Sequence, residues 1–466
     1  MLIVVDIQVT MYFCLVTLLI ASATAFKSNY NYFLKNVDFT QMDLSSIEEK
    51  WIDQPLDHFD PNEKRTFKMR YFENLQFWQP NAPIYIFIGG EGEQQNFWTS
   101  DSDNMITGQM VKETHGTLFA TEHRYYGKSM PDIPKDNAIA YHKFLRSEQA
   151  LEDLASFIKM LKSDSKYRSS KVVVVGGSYA GNLAAWMREL YPELVDAAVA
   201  ASAPVLAKKD FHEYLDVVRE TFRKYGTEDC LAKIEKECKG IEDLLNTSDG
   251  REEIKKKYNI CPDNDLTVLE NQQFLFFLYV YVPLDGISQG KFPDDVKNWC
   301  NRNPLQFNPS QSSISYGDCY SVDFESFDWT VMINGWVYQF CNEFGYLVTT
   351  SSEKQPFVHW NPLDFMLKIC KKYVKGDVET IMDEGIAKTN LRYGGLTPNV
   401  TKVVFSHGDM DPWHALGVVQ DLGPEAPARV IKGTSHCGVL AYSFREPQEM
   451  AEHRKYVKDL IIKWIS

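Results

Sequence analysis

Lys171-Val-Val-Val-Val-Gly-Gly-Ser178-Tyr-Ala-Gly181 continues as Asn-Leu-Ala-Ala-Trp-Met-Arg-Glu-Leu190. The opening residues are almost all β-branched, the composition of a strand buried on both faces. The closing residues suit a helix. Ser178 stands at the junction, with Gly176 and Ala180 two residues to either side and Gly181 next. A serine in so sharp a strand-to-helix turn needs small neighbours and projects its hydroxyl outward. The helix that follows aims its first amides at the same point, which favours negative charge there. Ala180 replaces the glycine usual at the second flank. A phosphate loop would require Gly-Lys-Ser/Thr or G-x-G-x-x-G, and neither occurs here. The stretch predicts a nucleophile elbow, with Ser178 as nucleophile and the Tyr179 amide as an oxyanion donor.

A serine is a weak nucleophile without a base and a group that orients the base. On this scaffold they follow in the order serine, acid, histidine, each on a loop after a late strand. Lys402–Phe405 reads as a strand and runs into Ser406-His407-Gly408-Asp409-Met410-Asp411-Pro412-Trp413. Arg429–Ile431 reads as another and runs into Lys432-Gly433-Thr434-Ser435-His436. Asp409 and Asp411 compete as acid, and spacing does not separate them. His407 and His414 lie on the acid's own loop, which favours His436 as base. His407, Asp409, Asp411 and His414 also form a set of metal-ligand types, but no periodicity brings them together, so no metal and no cofactor is expected. Upstream, the apolar run Pro83–Ile88 enters Gly89-Gly90-Glu91-Gly92, the expected source of the second oxyanion amide, at Gly90.

Apolar strands alternating with helices continue outward from the elbow. Gly116–Ala120 and Ala197–Ala201 read as strands, and Ser147–Lys162 carries an apolar helical stripe. This is the pattern of a parallel sheet covered on both faces. The rhythm is lost between residues 208 and 386, where helical stripes dominate, and the amphipathic stretch Glu446–Ile465 closes the chain. The reading is an α/β-hydrolase core built from residues 26–207 and 387–466, with a mostly helical cap, 208–386, inserted between nucleophile and acid.

The chain has 466 residues and a formal charge of −14. Its acidic balance argues against nucleic acid as a partner. Residues 1–25 read as a signal peptide: Tyr12–Ala21 is an apolar core and Ala23-Thr24-Ala25 a small-residue cleavage pattern. A basic n-region is missing, and Met11 is an alternative start that would omit Asp6. No membrane span is expected after the leader is removed. Of nine cysteines, Cys14 falls in the leader and eight follow residue 229, an even number that predicts four disulfides in an oxidising compartment. The sequons at Asn246 and Asn399 are glycan acceptors if the chain is exported.

Gly176–Gly181, the run Glu122-His123-Arg124-Tyr125-Tyr126-Gly127, Asp411-Pro412-Trp413 and the late Ser435-His436 together resemble one serine peptidase family. It is the family of lysosomal Pro-X carboxypeptidase, dipeptidyl peptidase II and thymus-specific serine protease. Gly335–Gly345 in the insertion shares the likeness, and Asp411–Gly417 is most similar to the thymus-specific branch. The resemblance implies Ser178, Asp411 and His436 as triad, and Cys341 with Cys370 as a disulfide. It also implies an exopeptidase, secreted or lysosomal, acting on peptides beside proline, and leaves a homodimer open. A chain terminus must then be held: Glu91, Glu122 or Glu343 are candidates for an amine, and Arg124 for a carboxylate. Trp336 and Trp413 are candidates to wall a proline pocket, with a buried core position the favoured reading for each. Two rival functions share the scaffold. One is a lipase or esterase, since fold does not fix substrate. The other is a non-enzymatic binding protein, which the retained serine and histidine disfavour.

Overall fold

The computed structural model describes residues 44–133, 141–290, 292–302, 315–316, 319–327 and 335–466. The expected leader, 1–25, lies outside them. Eight strands form one sheet: β1 Ile47–Pro55, β2 Thr66–Asn74, β3 Ile84–Ile88, β4 Thr117–Thr121, β5 Val172–Gly177, β6 Ala197–Ala201, β7 Val403–Gly408 and β8 Ala428–Ile431. Their order is β1-β2-β4-β3-β5-β6-β7-β8. The pairs β1–β2 and β2–β4 are antiparallel, and every pair from β4 to β8 is parallel. This is the α/β-hydrolase order, and it puts β5, which carries the elbow, in mid-sheet.

Side chains alternate across the sheet with period two. Val172 and Val174 of β5, with Ile84, Ile86 and Ile88 of β3, pack under helices α1 Ser147–Ser163 and α2 Tyr179–Leu190. Val173 and Val175, with Tyr85 and Phe87, face the other way. There they meet the helix Ile106–Thr114 and the closing helix α3 Gln448–Ile465. Burial on both faces explains why these strands read as continuous apolar runs. The antiparallel pair β1–β2 was not expected. β1 is an edge strand whose Glu48, Glu49, Lys50 and Asp53 keep it from pairing with other chains, so it shows no apolar pattern.

The cap leaves the sheet after β6 and returns before β7. Its helices include Glu213–Tyr225, Cys230–Leu245, Ser248–Tyr258, Leu269–Phe276, Val282–Gly290, Leu363–Cys370 and Val378–Tyr393. Lys208–Asp210 pairs in parallel with Gly345–Leu347 at its base. The last of these helices crosses the boundary expected at 386. It ends at Tyr393, where Gly394 takes a left-handed conformation as its cap. Tyr393 stacks on Trp186 of α2 at 3.9 Å, fastening cap to core. Among the described residues, no helix is long and apolar enough to cross a membrane.

Three disulfides brace the cap: Cys230–Cys300, Cys261–Cys319 and Cys341–Cys370. The Cys341–Cys370 pair matches the one implied by resemblance. The expected fourth is absent: Cys238 and Cys437 are free. Cys238 is embedded in the cluster that unites the cap with the α1/α2 side of the sheet, whereas Cys437 packs on the cluster of the opposite side. An even count was no guide, because the sheet itself separates the two leftover thiols. Thiol titration of the unfolded, unreduced chain should therefore find Cys238 and Cys437, and Cys14 as well if the leader is retained. In the folded protein only the half-buried Cys437 should be alkylated readily. Complete oxidation, measured by peptide mapping, would refute this assignment.

Candidate active site

Ser178 joins β5 to α2 with φ 59° and ψ −132°, a strained conformation for a non-glycine residue. Its amide donates to Ala201 O at 2.9 Å, and its carbonyl accepts Gly181 N at 2.8 Å. The turn closes only because Gly176 has no side chain: a Cβ there would lie 2.0 Å from Ala180 O. At Gly177 a Cβ would lie 2.8 Å from Cys437 Sγ, so this glycine admits the loop after β8. Gly90 approaches the start of α2 from the loop after β3; a Cβ on it would sit 3.5 Å from Ala180 N. The two expected oxyanion amides, those of Tyr179 and Gly90, thus belong to segments in contact.

Asp411 follows β7 and is fully buried. It caps the short helix Pro412–Leu416, accepting Trp413 N at 3.1 Å. Its Oδ1 lies 2.9 Å from His436 Nδ1 as an ion pair. Burial would raise the Asp411 carboxyl, but the His436 charge and hydrogen bonds from His436 and Ser202 hold it below the usual carboxylate range. His436 responds in kind. Burial opposes its charge, yet the Asp411 carboxylate, with a lesser contribution from Cys437, raises it well above an ordinary imidazole. Ser202 also accepts Cys437 N at 2.8 Å, so one hydroxyl ties the acid to the histidine loop.

Asp409 does different work. It pairs with Lys224, accepts the Tyr225 hydroxyl at 2.7 Å and accepts Gly433 N at 2.8 Å. It fastens the cap helix Glu213–Tyr225 to the loops after β7 and β8. His407 is buried against Val418 O at 3.1 Å, and burial lowers it to about 4, so it stays neutral. His414 holds Asp411 O at 2.7 Å. Among the described residues, no three His, Cys, Asp or Glu side chains converge to hold a metal ion.

The residues proposed to hold a chain terminus separate clearly. Arg124 is spent on structure: Nε and Nη2 bind Asp153 at 2.6 and 2.7 Å, and Nη1 binds Leu56 O and Phe144 O. Glu122 is enclosed by Arg70, Ser129 Oγ and Lys128 N. Glu343 accepts Ser147 N at 3.1 Å and Ser147 Oγ at 3.1 Å, closing the N-terminus of α1 from the cap. Glu91 alone lies on the loop that also carries Gly90. It is 8% exposed, and burial pushes it up to about 7, a rise that the His436 charge and the Ser178 hydroxyl only partly offset.

Trp336 and Trp413 are both buried in one belt of rings. The belt runs from Tyr179 to Trp336 (5.5 Å), Tyr346 (6.1 Å), Trp413 (5.4 Å) and Tyr214 (5.5 Å). Tyr179 is also held through its hydroxyl, by His123 Nε2 at 3.1 Å and Gln339 Nε2 at 3.1 Å. Asn246 and Asn399 are both exposed, as glycan acceptors must be.

Several residues that shape the site gave no sequence signal. From the cap helix Val282–Gly290, Ser288 Oγ donates to Met410 O at 2.8 Å, and Gln289 O accepts His436 N at 3.1 Å. Asp285, on the same helix, is buried against Tyr214, and burial pushes it up to about 8. Ser202 follows an alanine strand and carries no motif. An isolated polar residue in a helical insertion becomes notable only once folding has carried it to the Asp411–His436 pair.

These features define a serine hydrolase of the α/β-hydrolase fold. The family model of serine carboxypeptidase S28 matches residues 54–308 and 296–457, and the chain belongs to that family; it is a serine-type peptidase. It is 32% identical to mouse (Mus musculus) thymus-specific serine protease over 433 residues, covering 84% of this chain and 82% of that one. It is 27% identical to human lysosomal Pro-X carboxypeptidase over 453 residues, covering 89% and 88%. Among solved structures, a thermophilic carboxylesterase from a metagenomic library is 11% identical, with TM-score 0.41 over 96% of this chain and 98% of that one.

The Glu343 cap carries a testable cost. Burial raises this carboxyl to about 7, above its ordinary value near 4.5. The folded chain therefore binds this proton more tightly than the unfolded chain. The stability it contributes is complete below about 4.5 and is lost as pH rises through about 7, up to about 3 kcal/mol from this group. Glu343→Gln keeps an acceptor for Ser147 but removes the titration. Thermal melts between pH 4.5 and 7.5 should show a shallower decline for the variant than for the wild type. Parallel curves would show that Glu343 does not titrate there.

Proposed function

We propose that the chain is a serine exopeptidase that cleaves peptides beside proline, with Ser178 as nucleophile, His436 as base and Asp411 as its orienter. The observation that carries this reading is the fully buried Asp411–His436 pair, 2.9 Å apart, on the two loops that close over the elbow at the end of β5. Ser178 Oγ attacks the scissile carbonyl while His436 takes its proton. Asp411 fixes the imidazole by Nδ1, leaving Nε2 for the serine, and stabilises the imidazolium as it forms. The amides of Tyr179 and Gly90 receive the oxyanion. His436 then protonates the leaving amine, and water releases the acyl group from Ser178. Preference for proline rests on the two relatives' family and on one printed name, Pro-X carboxypeptidase. A secreted or endosomal/lysosomal location accords with three disulfides in the cap and with that relative's lysosomal name.

The test begins with labelling by a fluorophosphonate, followed by a panel of prolyl peptides and short acyl esters. Ser178→Ala should abolish labelling and cut turnover by on the order of 10⁴–10⁶ while the melting curve is kept. Retained turnover would remove Ser178 from the mechanism, and hydrolysis of esters alone would make the enzyme an esterase.

The two aspartates give a sharper comparison. Asp411→Asn should lower turnover by about 10⁴, because the amide stabilises the wrong histidine tautomer. Asp409→Asn should act mainly on stability, through the Lys224 and Gly433 contacts it loosens. A larger loss of turnover at 409 than at 411 would reverse the assignment.

A further inference from the structure

A directed chain of hydrogen bonds joins the cap to the residue that follows Ser178. His123 sets its direction. Its Nδ1 lies 2.7 Å from Arg124 O, and a carbonyl only accepts, so Nδ1 carries a proton. Burial lowers His123 to about 4, so the ring is neutral and Nε2 is left as an acceptor. The Tyr179 hydroxyl, 3.1 Å away, therefore donates to Nε2. Its own oxygen accepts Gln339 Nε2 at 3.1 Å, and Gln339 Oε1 accepts the Tyr126 hydroxyl at 2.6 Å. Gln339 and Tyr179 have no exposed surface, and Tyr126 and His123 are buried. Solvent does not compete for these groups, and each donor has one acceptor in place.

Gln339 is the cap's part of this chain. It ends the helix Gly335–Gln339, and a π-helical turn, Phe340–Phe344, follows directly. Such turns recur at functional sites. This one is clamped from both sides. A Cβ on Gly385 would lie 1.8 Å from Asn342 O, so the cap helix Val378–Tyr393 packs directly against the turn. At the other end, a Cβ on Gly335 would lie 3.1 Å from the Tyr126 hydroxyl. The Gln339 amide is held in place before any substrate arrives.

We propose that Gln339 is a positioning residue for the oxyanion: by holding the Tyr179 hydroxyl, it keeps the Tyr179 amide aimed at the reacting carbonyl. This rests on the mechanism above, in which Tyr179 donates to the oxyanion, and goes beyond it by giving the cap a part in the chemical step. The elbow supplies the need. Ser178, at φ 59° and ψ −132°, is strained, and such a residue keeps its conformation only when its neighbours are fixed. On one side its own amide is tied to Ala201 O at 2.9 Å. On the other stands Tyr179, the first residue of α2, whose amide finds no acceptor in an earlier turn of the helix. Any relaxation at Ser178 that turned this amide would drag the Tyr179 ring from Gln339 and His123, and from Trp336, against which it packs at 5.5 Å.

The experiment uses the full chain and three variants: Gln339→Met, Tyr179→Phe and the two combined. Tyr179→Phe removes one oxygen and keeps both ring and amide, and a melting curve checks that each variant folds. Turnover is read on p-nitrophenyl acetate and on a prolyl peptide. Each single variant should lower kcat by on the order of 10- to 100-fold with KM unchanged, the effect of a misplaced group that acts only in the transition state. The double variant should lose no more than the worse single one, because both substitutions cut the same bond. A peptide aldehyde and its matching alcohol give a second readout. Ser178 Oγ bonds to the aldehyde carbon, the carbonyl electron pair passes to oxygen, and the serine proton moves to His436; the alcohol binds without this step. The advantage of aldehyde over alcohol should shrink by about the same factor as kcat. An equal loss for both inhibitors, a raised KM in place of a lowered kcat, or losses that multiply in the double variant would each overturn the proposal. A lowered melting temperature with kcat kept would make Gln339 merely structural and overturn it too. If the ester is turned over and the peptide is not, the peptidase reading fails, and the ester data still decide on Gln339. A wild type that a fluorophosphonate leaves unlabelled would remove Ser178 as nucleophile, and the proposal with it.

Discussion

A carboxylate with no exposed surface, 2.9 Å from an imidazole, is the arrangement the rest of the molecule must tolerate. Taking an ion out of water costs several kcal/mol unless neighbours replace the solvent. Asp411 recovers that loss from His436, from the Trp413 amide and from Ser202. Those donors stand on three strand-end loops, after β6, β7 and β8, so the pair holds only if the parallel register holds. Proline at 412 fixes the backbone directly after the acid, which keeps the carboxylate aimed. The fold is thus selected for a charge pair that the fold alone makes affordable.

Strand ends by themselves would leave the pair open to water. The cap closes it. Ser288 binds the carbonyl of Met410 beside the acid, and Gln289 binds the amide of His436. One cap helix therefore grips the loops of both Asp411 and His436. Beneath it, the belt from Tyr179 through Trp336, Tyr346 and Trp413 to Tyr214 links the residue after the nucleophile to a residue two beyond the acid. Disulfides within the cap stiffen that belt's supports, and Cys341–Cys370 anchors the turn carrying Glu343. The aromatic wealth of the insertion thus couples cap to elbow, with Trp336 and Trp413 buried within that belt.

The parts legible in the sequence were those with strong local chemistry. The elbow needs β-branched residues, glycines and a serine in fixed order, and nothing else satisfies that turn. The acid and base loops were legible because each follows a short apolar strand. Asp409 and Asp411 stayed ambiguous, because a choice between two carboxylates on one loop depends on where Lys224 and Gly433 end up. Arg124 and Glu122 looked functional because their run is distinctive, yet the distinction serves a buried ion pair with Asp153 and a cluster around Arg70. Long-range pairings of that kind have no spacing rule. Cysteine parity failed for the same reason: a count says nothing about which side of a sheet each thiol occupies.

Buried acids give the molecule an asymmetric response to pH. Glu91 and Glu343, near 7, and Asp285, near 8, bind protons more tightly folded than unfolded. Folding takes up protons at all three, so their contribution to stability grows as pH falls through that range. Asp411 has the opposite sign. Its lowered carboxyl adds stability above the ordinary carboxylate range and loses it only as pH falls through its own, lower value. His436 sides with the first group in stability, since its raised imidazole favours the folded state until pH passes that raised value. The base role proposed for His436 runs the other way, because an imidazole must be neutral to accept a proton. At these three acids and at His436, protonation therefore favours the folded state. A chain arranged in this way gains folded-state stability at these sites under the acid conditions in which its imidazole is increasingly protonated.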